Sequence, residues 1–306
     1  MRRETITSAQ NPKIKMLLAL GEKSRTRREN ALFIVEGRLE IRHCIEAGYN
    51  IKALFACPDI ISGRELDDIA GLCGEHCTLY EVSRPVYEKI AYRSGTEGII
   101  AEVEIIEKTL KDVRLRENPL VVVLESVEKP GNLGAVLRTA DAADADAVVV
   151  CDPLTDLYNP NLIRASLGSI FSRQVVSATS GETLKWLKDN NIKIYTAQLQ
   201  DSSWYYDTDM KCGTALVMGT EHDGLSTFWR MHADAHVKIP MLGSMDSLNV
   251  SVSSAILMFE AVRQRHSCRQ VYGPVRKNQG ITHERAKNDH VVRKTLEITH
   301  EKRERQ

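Results

Sequence analysis

The sequence of 306 residues has no long apolar run, and its first residues have no apolar core of the kind found in secretory leaders. No stretch approaches the roughly 18 consecutive apolar residues that a membrane-spanning helix needs. The first residues, Met1 to Ile6, lack the apolar core of a signal peptide. Hydrophobic residues make up 42% of the chain, which is enough for sizeable cores. We therefore expect a cytoplasmic protein of about two folded domains, without a membrane partner.

Cysteine usage excludes a disulfide framework and argues against a structural metal. The seven cysteines are odd in number and scattered, which is typical of reduced thiols in a cytosolic protein. Cys73, His76 and Cys77 lie close together, but no second Cys/His pair at zinc spacing completes the set. We expect no metal site.

The net charge is zero, which by itself argues against a nucleic-acid-binding protein. The distribution of charge is uneven, however. Residues 1–30 and residues 267–306 each carry a net charge of +5, whereas the residues between them carry −10. Basic ends around an acidic body are suited to phosphate binding, although solvated basic tails explain the same pattern equally well.

The first 106 residues predict a small α/β unit, because short apolar strands alternate with helical segments. Residues 1–30 are predicted as a basic segment with a turn at residues 7–12 and a helix after it. The predicted strands are residues 32–35, 51–57, 78–82 and 98–106. The predicted helices are residues 38–47, 64–73 and 85–91. The charged residues 107–118 are predicted as a linker.

The rest of the chain predicts a mainly parallel sheet with helices on both sides. Residues 120–124 are an uninterrupted apolar run, which is typical of a parallel strand buried on both faces. Strand and helix patterns then alternate along the chain. The last long helix runs from Leu248 to about Arg265, with an apolar face. The predicted strands are residues 147–151, 175–176, 192–197, 214–218 and 236–239.

Three polar segments follow predicted strands, where open α/β sheets place their ligand sites. In the first, residues 129–139, Gly131 and Gly134 allow a tight turn and close approach of the backbone to a ligand. A helix beginning near Gly134 would place Arg138 one turn in, beside Asn132. The alternatives are a dinucleotide-binding loop, for which the G-x-G-x-x-G pattern is lacking, and a structural turn with a surface arginine.

The second segment, residues 218–226, places Gly219 and then Glu221 at the carboxyl end of a buried strand. Gly219 lets the backbone face a ligand. The structural alternative is that Glu221 or Asp223 caps a helix that begins near Leu225.

The third segment, residues 239–251, is a loop that leads into the last helix. Asp246 or Ser247 can cap that helix. Capping does not account for all of the polar residues at the helix start, and such a set is suited to hydrogen bonds around a ligand. These polar residues are Ser247, Asn249, Ser251, Ser253 and Ser254.

The three segments together, in this order and spacing, resemble the SpoU/TrmH family of the SPOUT superfamily. Its N-x-x-x-x-x-R-T motif is present from Asn132 to Thr139, and its G-x-E-x-x-G motif from Gly219 to Gly224. Its I-P-M and S-L-N-V-S motifs begin at Ile239 and Ser247, respectively. The match covers residues 120–265. The resemblance implies an RNA methyltransferase that uses S-adenosylmethionine to methylate a ribose 2′-hydroxyl.

The resemblance also implies an architecture. Residues 1–106 are expected to form an L30e-like RNA-binding domain, and residues 107–266 a SPOUT methyltransferase domain with a deep trefoil knot. Residues 267–306 are expected to be a basic C-terminal tail. Periodicity does not reveal a knot, which is very rare in proteins. Family members pair through the knotted domain, so a homodimer is expected.

Roles for individual residues are implied by the same motifs. The residues with implied catalytic roles are Asn132, Arg138, Glu221, Ser247 and Asn249. The residues with implied contacts to S-adenosylmethionine, largely through the backbone, are Ala197, Gly219, Ile239 and Leu248. Arg138 is expected to stabilise charge rather than to accept a proton, since a guanidinium stays protonated at pH 7.

Two alternatives for function stay open. The same reaction on tRNA is one, although a separate N-terminal RNA-binding domain favours ribosomal RNA. A non-catalytic RNA-binding or ribosome-assembly factor is the other, and the presence of Arg138 and Asn249 argues against it.

Overall fold

Two β-sheets organise the chain, a five-stranded sheet in the first third and a seven-stranded sheet in the remainder. The computed structural model describes residues 1–92, 96–127, 129–153, 156–220 and 223–272, and for residues 267–272 only the helical backbone. Residues 1–265 belong to one compact unit. The chain beyond it is described as far as Tyr272, so most of the expected basic tail lies outside the described residues.

The first sheet is mixed, with strand order β1-β4-β3-β5-β2. Strands β1, β4 and β3 run parallel, whereas β5 is antiparallel to both of its neighbours. These strands are β1 (Arg2–Ile6), β2 (Leu32–Glu36), β3 (Ile51–Ala56), β4 (Thr78–Val82) and β5 (Ile99–Glu104). The helices are α1 (Pro12–Glu22), α2 (Ser24–Asn30), α3 (Arg38–Glu46), α4 (Gly63–Ala70) and α5 (Arg84–Ile90).

Strand β1 was not predicted, whereas the predicted turn within residues 7–12 follows it. The strand pairs with β4 at the edge of the sheet, and Ile6 alone among its residues is buried. A strand with a single buried side chain leaves no alternating pattern to detect. Helix α1 begins after this strand as predicted, because the side chain of Asn11 accepts a hydrogen bond from the Lys13 backbone N–H at 2.9 Å.

The second sheet is parallel throughout, with strand order β10-β12-β9-β11-β6-β7-β8, which confirms the predicted α/β fold with a mainly parallel sheet. The expected knot is not tested by strand order and stays a prediction. The strands are β6 (Leu120–Glu125), β7 (Ala147–Cys151), β8 (Gln174–Ala178), β9 (Lys193–Ala197), β10 (Ser203–Trp204), β11 (Thr214–Met218) and β12 (Ala235–Lys238).

Helices cover both faces of this sheet. Alternate residues of β6 join different cores, since Val122 packs in one apolar cluster and Val121 in another. The helices are α6 (Pro130–Ala142), α7 (Pro160–Ala165), α8 (Ser169–Ser172), α9 (Ser180–Asp189), α10 (Thr227–His232) and α11 (Val250–Tyr272). Helix α11 is longer than predicted. Among the described helices, none has the length and apolarity to cross a membrane.

The two sheets share a buried core. The ring of Phe33 in β2 lies 4.6 Å from that of Tyr158 and 6.0 Å from that of Phe171, measured between centroids. The buried Arg27 in α2 pairs with Asp156 at 2.6 Å. Burying an arginine requires such a partner. The two halves are therefore packed against each other, and the predicted domain boundary near residue 106 stays a prediction.

Candidate active site

Four neighbouring strands end at one edge of the second sheet. Strands β12, β9, β11 and β6 are adjacent and parallel, so their carboxyl ends lie together. The three polar segments predicted from sequence follow β6, β11 and β12. Ala197 is the last residue of β9, and Gly219 and Ile239 directly follow β11 and β12. The topology thus brings the predicted segments to one edge, where open parallel sheets bind ligands.

Helix α6 begins earlier than predicted, at Pro130 rather than near Gly134. Proline suits the first turn of a helix, where its missing N–H removes no hydrogen bond. Gly131 therefore lies within the helix and not in a tight turn. A side chain on Gly134 would place its Cβ 2.5 Å from the Cβ of Ala165 and 2.7 Å from its carbonyl carbon. The small residue at 134 lets α6 and α7 touch, rather than admitting a ligand.

Asn132 and Asn249 form a hydrogen bond between the first and third segments. Nδ2 of Asn249 donates to Oδ1 of Asn132 at 3.1 Å. Oδ1 of Asn249 accepts from the backbone N–H of Ser251 at 2.9 Å and from its hydroxyl at 2.6 Å. Asn249 therefore caps α11, and the prediction that Asp246 or Ser247 does so is wrong.

The other hydroxyls at the start of α11 also bond locally. Ser254 donates to the carbonyl of Val250 at 2.7 Å, and its side chain is buried. The expectation that this hydroxyl-rich stretch orders a ligand is therefore not met by Ser251 or Ser254. Ser247 lies before the helix and is exposed, and among the described residues it has no side-chain hydrogen bond.

Arg138 is exposed on α6 and has no carboxylate partner among the described residues. Two other arginines of this half are paired with carboxylates. Arg116 donates to Asp146 at 2.7 Å, and Arg173 donates to Asp141 at 2.9 Å. Because α6 begins at Pro130, Arg138 lies about two turns into the helix, and the prediction that it lies one turn in beside Asn132 is wrong.

The segment after β11 closes on itself. Thr220 and Gly224 exchange backbone hydrogen bonds of 3.1 Å in both directions. Gly224 has a φ of +67°, which favours glycine, and a Cβ on Gly219 would collide with the carbonyl of Gly224. Helix α10 begins at Thr227, so the structural alternative in which Asp223 caps a helix near Leu225 is wrong. Glu221 lies outside the described residues.

Glu125, at the end of β6, was missed by the sequence analysis. Its buried carboxylate accepts from the backbone N–H of Ser226 at 2.8 Å and from the Ser226 hydroxyl at 2.6 Å. These bonds fasten residues 219–226 to the strand that leads into α6. The sequence feature that could have indicated Glu125 is a charged residue directly after five apolar residues of a buried strand. A carboxylate buried at such a position requires a hydrogen-bond partner.

The residues at the edge fit a ligand that carries several hydrogen-bond donors. S-adenosylmethionine is such a ligand. The side-chain Oε1 of Gln198, directly after β9, is buried and has no hydrogen-bond partner among the described residues. A buried acceptor of this kind is costly unless a donor reaches it. Leu248 is 38% exposed, and Ile239 is half-buried against the core.

The described residues of this edge differ from metal sites and from reactive thiols. Within the described ranges, no group of three or more His, Cys, Asp and Glu residues is arranged to hold a metal ion. Burial raises the pKa of the Cys151 thiol, at the end of β7, to about 12. That thiol stays protonated at neutral pH and is a poor nucleophile.

Comparisons with known proteins match both halves of the chain. Residues 119–259 match the SpoU rRNA Methylase family, and residues 11–101 match the MRM3-like substrate binding domain. The 23S rRNA (guanosine-2′-O-)-methyltransferase RlmB of Salmonella typhi is 38% identical over 216 residues, which cover 67% of this chain and 89% of the relative.

Two further similarities come from Streptomyces viridochromogenes. Its 23S rRNA (uridine(2479)-2′-O)-methyltransferase is 35% identical over 183 residues, covering 58% of this chain and 63% of the relative. The crystal structure of the SpoU methyltransferase AviRb in complex with the cofactor AdoMet has a TM-score of 0.76 and 28% identity, covering 84% of this chain and all of that one.

The parallel α/β sheet and the matched family model together define the class of protein as a methyltransferase. The chain belongs to the SpoU rRNA methylase family of RNA 2′-O-methyltransferases, which use S-adenosylmethionine.

Proposed function

We propose that this chain transfers the methyl group of S-adenosylmethionine to a ribose 2′-hydroxyl of ribosomal RNA. The observation that carries this proposal is the bond between Asn132 and Asn249, which joins the first and third segments at the carboxyl edge of the sheet. Arg138, on the same helix as Asn132, has no carboxylate partner among the described residues. Relatives that act on 23S rRNA support the substrate class.

The reaction needs help at the ribose. When bound, S-adenosylmethionine supplies an activated methyl group with a neutral leaving group. The 2′-hydroxyl is a weak nucleophile until its proton leaves, so the oxygen that becomes negative needs a fixed positive charge. Arg138 provides that charge as a guanidinium that stays protonated, and it acts as a stabiliser rather than a base.

Positioning is the second requirement, because the hydroxyl must lie in line with the methyl group. Asn132 and Asn249 are held by their mutual bond and by the cap of α11, which makes them suited to orient the ribose. We assign supporting contacts to Ser247 and Glu221. We assign binding of the methyl donor to the backbone around four residues that end or follow β9, β11 and β12 or precede α11. These residues are Ala197, Gly219, Ile239 and Leu248.

RNA selection is assigned to residues 1–106, as an L30e-like domain, with the methyltransferase domain at 107–266. The match of residues 11–101 to a substrate binding domain supports this division. The same reaction on tRNA remains the alternative substrate.

We further propose a homodimer formed through the knotted domain. On α11, Val252 is 46% exposed and Phe259 is 48% exposed, and Ala255 and Ile256 between them are half-buried. These positions fall on one helical face, which is apolar and uncovered in a single chain. We place the protein in the cytoplasm, which fits the free cysteines among the described residues.

The test is to map 2′-O-methyl groups in ribosomal RNA and tRNA from cells with and without this protein, and with the Arg138→Ala variant. A ribosomal position should lose its methyl group in both altered strains. Loss of a methyl group from tRNA alone would identify tRNA as the substrate. An unchanged methylation pattern, together with no methyl transfer by the purified protein, would favour the non-catalytic alternative.

A further inference from the structure

A half-buried arginine and an exposed tyrosine stack where the two halves of the chain meet. The guanidinium of Arg164 lies over the ring of Tyr92, with 5.4 Å between the guanidinium carbon and the ring centroid. Tyr92 belongs to the matched substrate binding domain, and Arg164 to the matched methylase region. The other cation–π contacts among the described residues do not connect these two regions.

Both partners are held in place but remain accessible. The backbone N–H of Tyr92 donates to Oε2 of Glu36 at 2.9 Å, and the side chain is 51% exposed. Arg164 is half-buried in the last turn of α7 and has no carboxylate partner among the described residues. Arg27, which also connects the two halves of the chain, differs from Arg164 because it is buried and paired with Asp156.

The helix that carries Arg164 touches the helix that carries two of the proposed catalytic residues. Arg164 precedes Ala165, which is the residue of α7 that Gly134 of α6 approaches most closely. Helix α6 carries Asn132 and Arg138. The stacked pair is thus linked to the methylase region through the contact between α7 and α6.

We propose that Tyr92 and Arg164 bind an unpaired nucleotide of the RNA that flanks the methylated ribose. Tyr92 stacks on its base, and Arg164 pairs with its phosphate. Proteins recognise unpaired bases by stacking on aromatic rings and guanidinium planes, and arginine is suited to phosphate oxygens. The proposal rests on the proposed function, because it assumes that RNA is the substrate.

A purely structural contact is the competing explanation. The junction already contains the Arg27–Asp156 pair and the Phe33, Tyr158 and Phe171 cluster, all more buried than Tyr92. An exposed cation–π pair adds little to such an interface. The two explanations differ in what a mutation changes, namely RNA affinity or thermal stability.

The experiment measures filter binding and methyl transfer with ribosomal RNA from cells that lack the protein, using full-length variants. Tyr92→Leu should raise the Kd and the KM for this RNA roughly tenfold. Tyr92→Phe, which keeps the ring, should behave like the wild type. Arg164→Gln should weaken binding and lower the slope of log Kd against log salt by about one. Affinity for S-adenosylmethionine and the melting temperature should stay unchanged.

Tyr206→Leu is the matched control, since Tyr206 is 48% exposed and follows β10 at the opposite edge of the sheet from β7 and β8. Unchanged RNA affinity in Tyr92→Leu and Arg164→Gln overturns the proposal, and so does a loss explained by a lower melting temperature. Wild-type protein that binds the RNA but transfers no methyl group contradicts the proposed function, while the binding comparison still decides the role of the pair.

Discussion

Asn249 donates a hydrogen bond to Asn132 at 3.1 Å, across 117 residues of sequence, while its own carbonyl oxygen caps helix α11. One amide thus joins the beginnings of α6 and α11, the two helices that follow β6 and β12. The position of Asn132 therefore depends on the helix cap.

Asn249→Asp separates the two roles of this side chain. An aspartate still caps the helix, but it cannot donate to Asn132 and places a negative charge against the Asn132 oxygen. We expect an almost unchanged melting temperature and a rate of methyl transfer lower by on the order of 100-fold. Asn249→Ala should lose activity and also about 1 kcal/mol of stability. Calorimetry and single-turnover kinetics measure both, and an active Asn249→Asp enzyme would contradict the catalytic assignment.

Arg138→Ala should abolish methyl transfer and leave S-adenosylmethionine binding nearly intact, because the donor contacts are assigned to backbone atoms of other segments. Titration calorimetry on the full chain measures donor affinity. Arg114→Ala is the control, since Arg114 is also exposed but precedes β6 at the opposite end of the sheet. A comparable loss of donor affinity in Arg138→Ala would show that the residue faces the donor.

Glu125→Ala should weaken S-adenosylmethionine binding without altering RNA affinity. Removing the carboxylate leaves the backbone N–H of Ser226 without its acceptor and releases residues 219–226 from β6. Loss of that partner costs about 1–3 kcal/mol of stability. Ser226→Ala removes only the 2.6 Å hydroxyl bond and should have a smaller effect on both measurements. Equal effects of the two variants would mean that the backbone bond contributes nothing.

The two glycines of the first motif should respond oppositely to alanine. Gly134→Ala forces a Cβ into Ala165 and should destabilise the protein by about 1–3 kcal/mol. Ala165→Gly in the same chain should restore part of that loss. At Gly131 no atom lies within 4 Å of an added Cβ, so Gly131→Ala should stabilise α6 by about 0.5–1 kcal/mol. Chemical denaturation measures each value, and a tolerated Gly134→Ala would contradict the packing role.

Phe259→Asp should convert the proposed homodimer into a monomer, because it replaces the largest side chain of the exposed apolar face of α11 with a charge. Light scattering at micromolar concentration measures the mass. Met231→Asp is the control, as Met231 is 73% exposed but lies on α10. A wild-type monomer at this concentration would count against the dimer itself.

The central strands were predictable because strands buried on both faces are uninterrupted runs of apolar residues. The bounds of β7 and β11 agree with the prediction to the residue, since both are apolar runs in the middle of a parallel sheet. The edge strands β1 and β10 were missed because few of their side chains are buried. Helix α6 was placed four residues late because its glycines were assigned to a turn, whereas Pro130 starts the helix.

Sequence alone determined the α/β class, the identities of the polar residues after the strands, and the resemblance to a methyltransferase family. The tertiary structure decided what those residues do. In the structure, Asn249 caps α11 and donates a hydrogen bond to Asn132, and Gly134 is a point of contact between helices. The Ser226 hydroxyl donates to Glu125, and Arg138 has no carboxylate partner among the described residues. Periodicity reports local burial, but hydrogen bonds and charge neutralisation depend on groups that the topology brings together from distant parts of the chain.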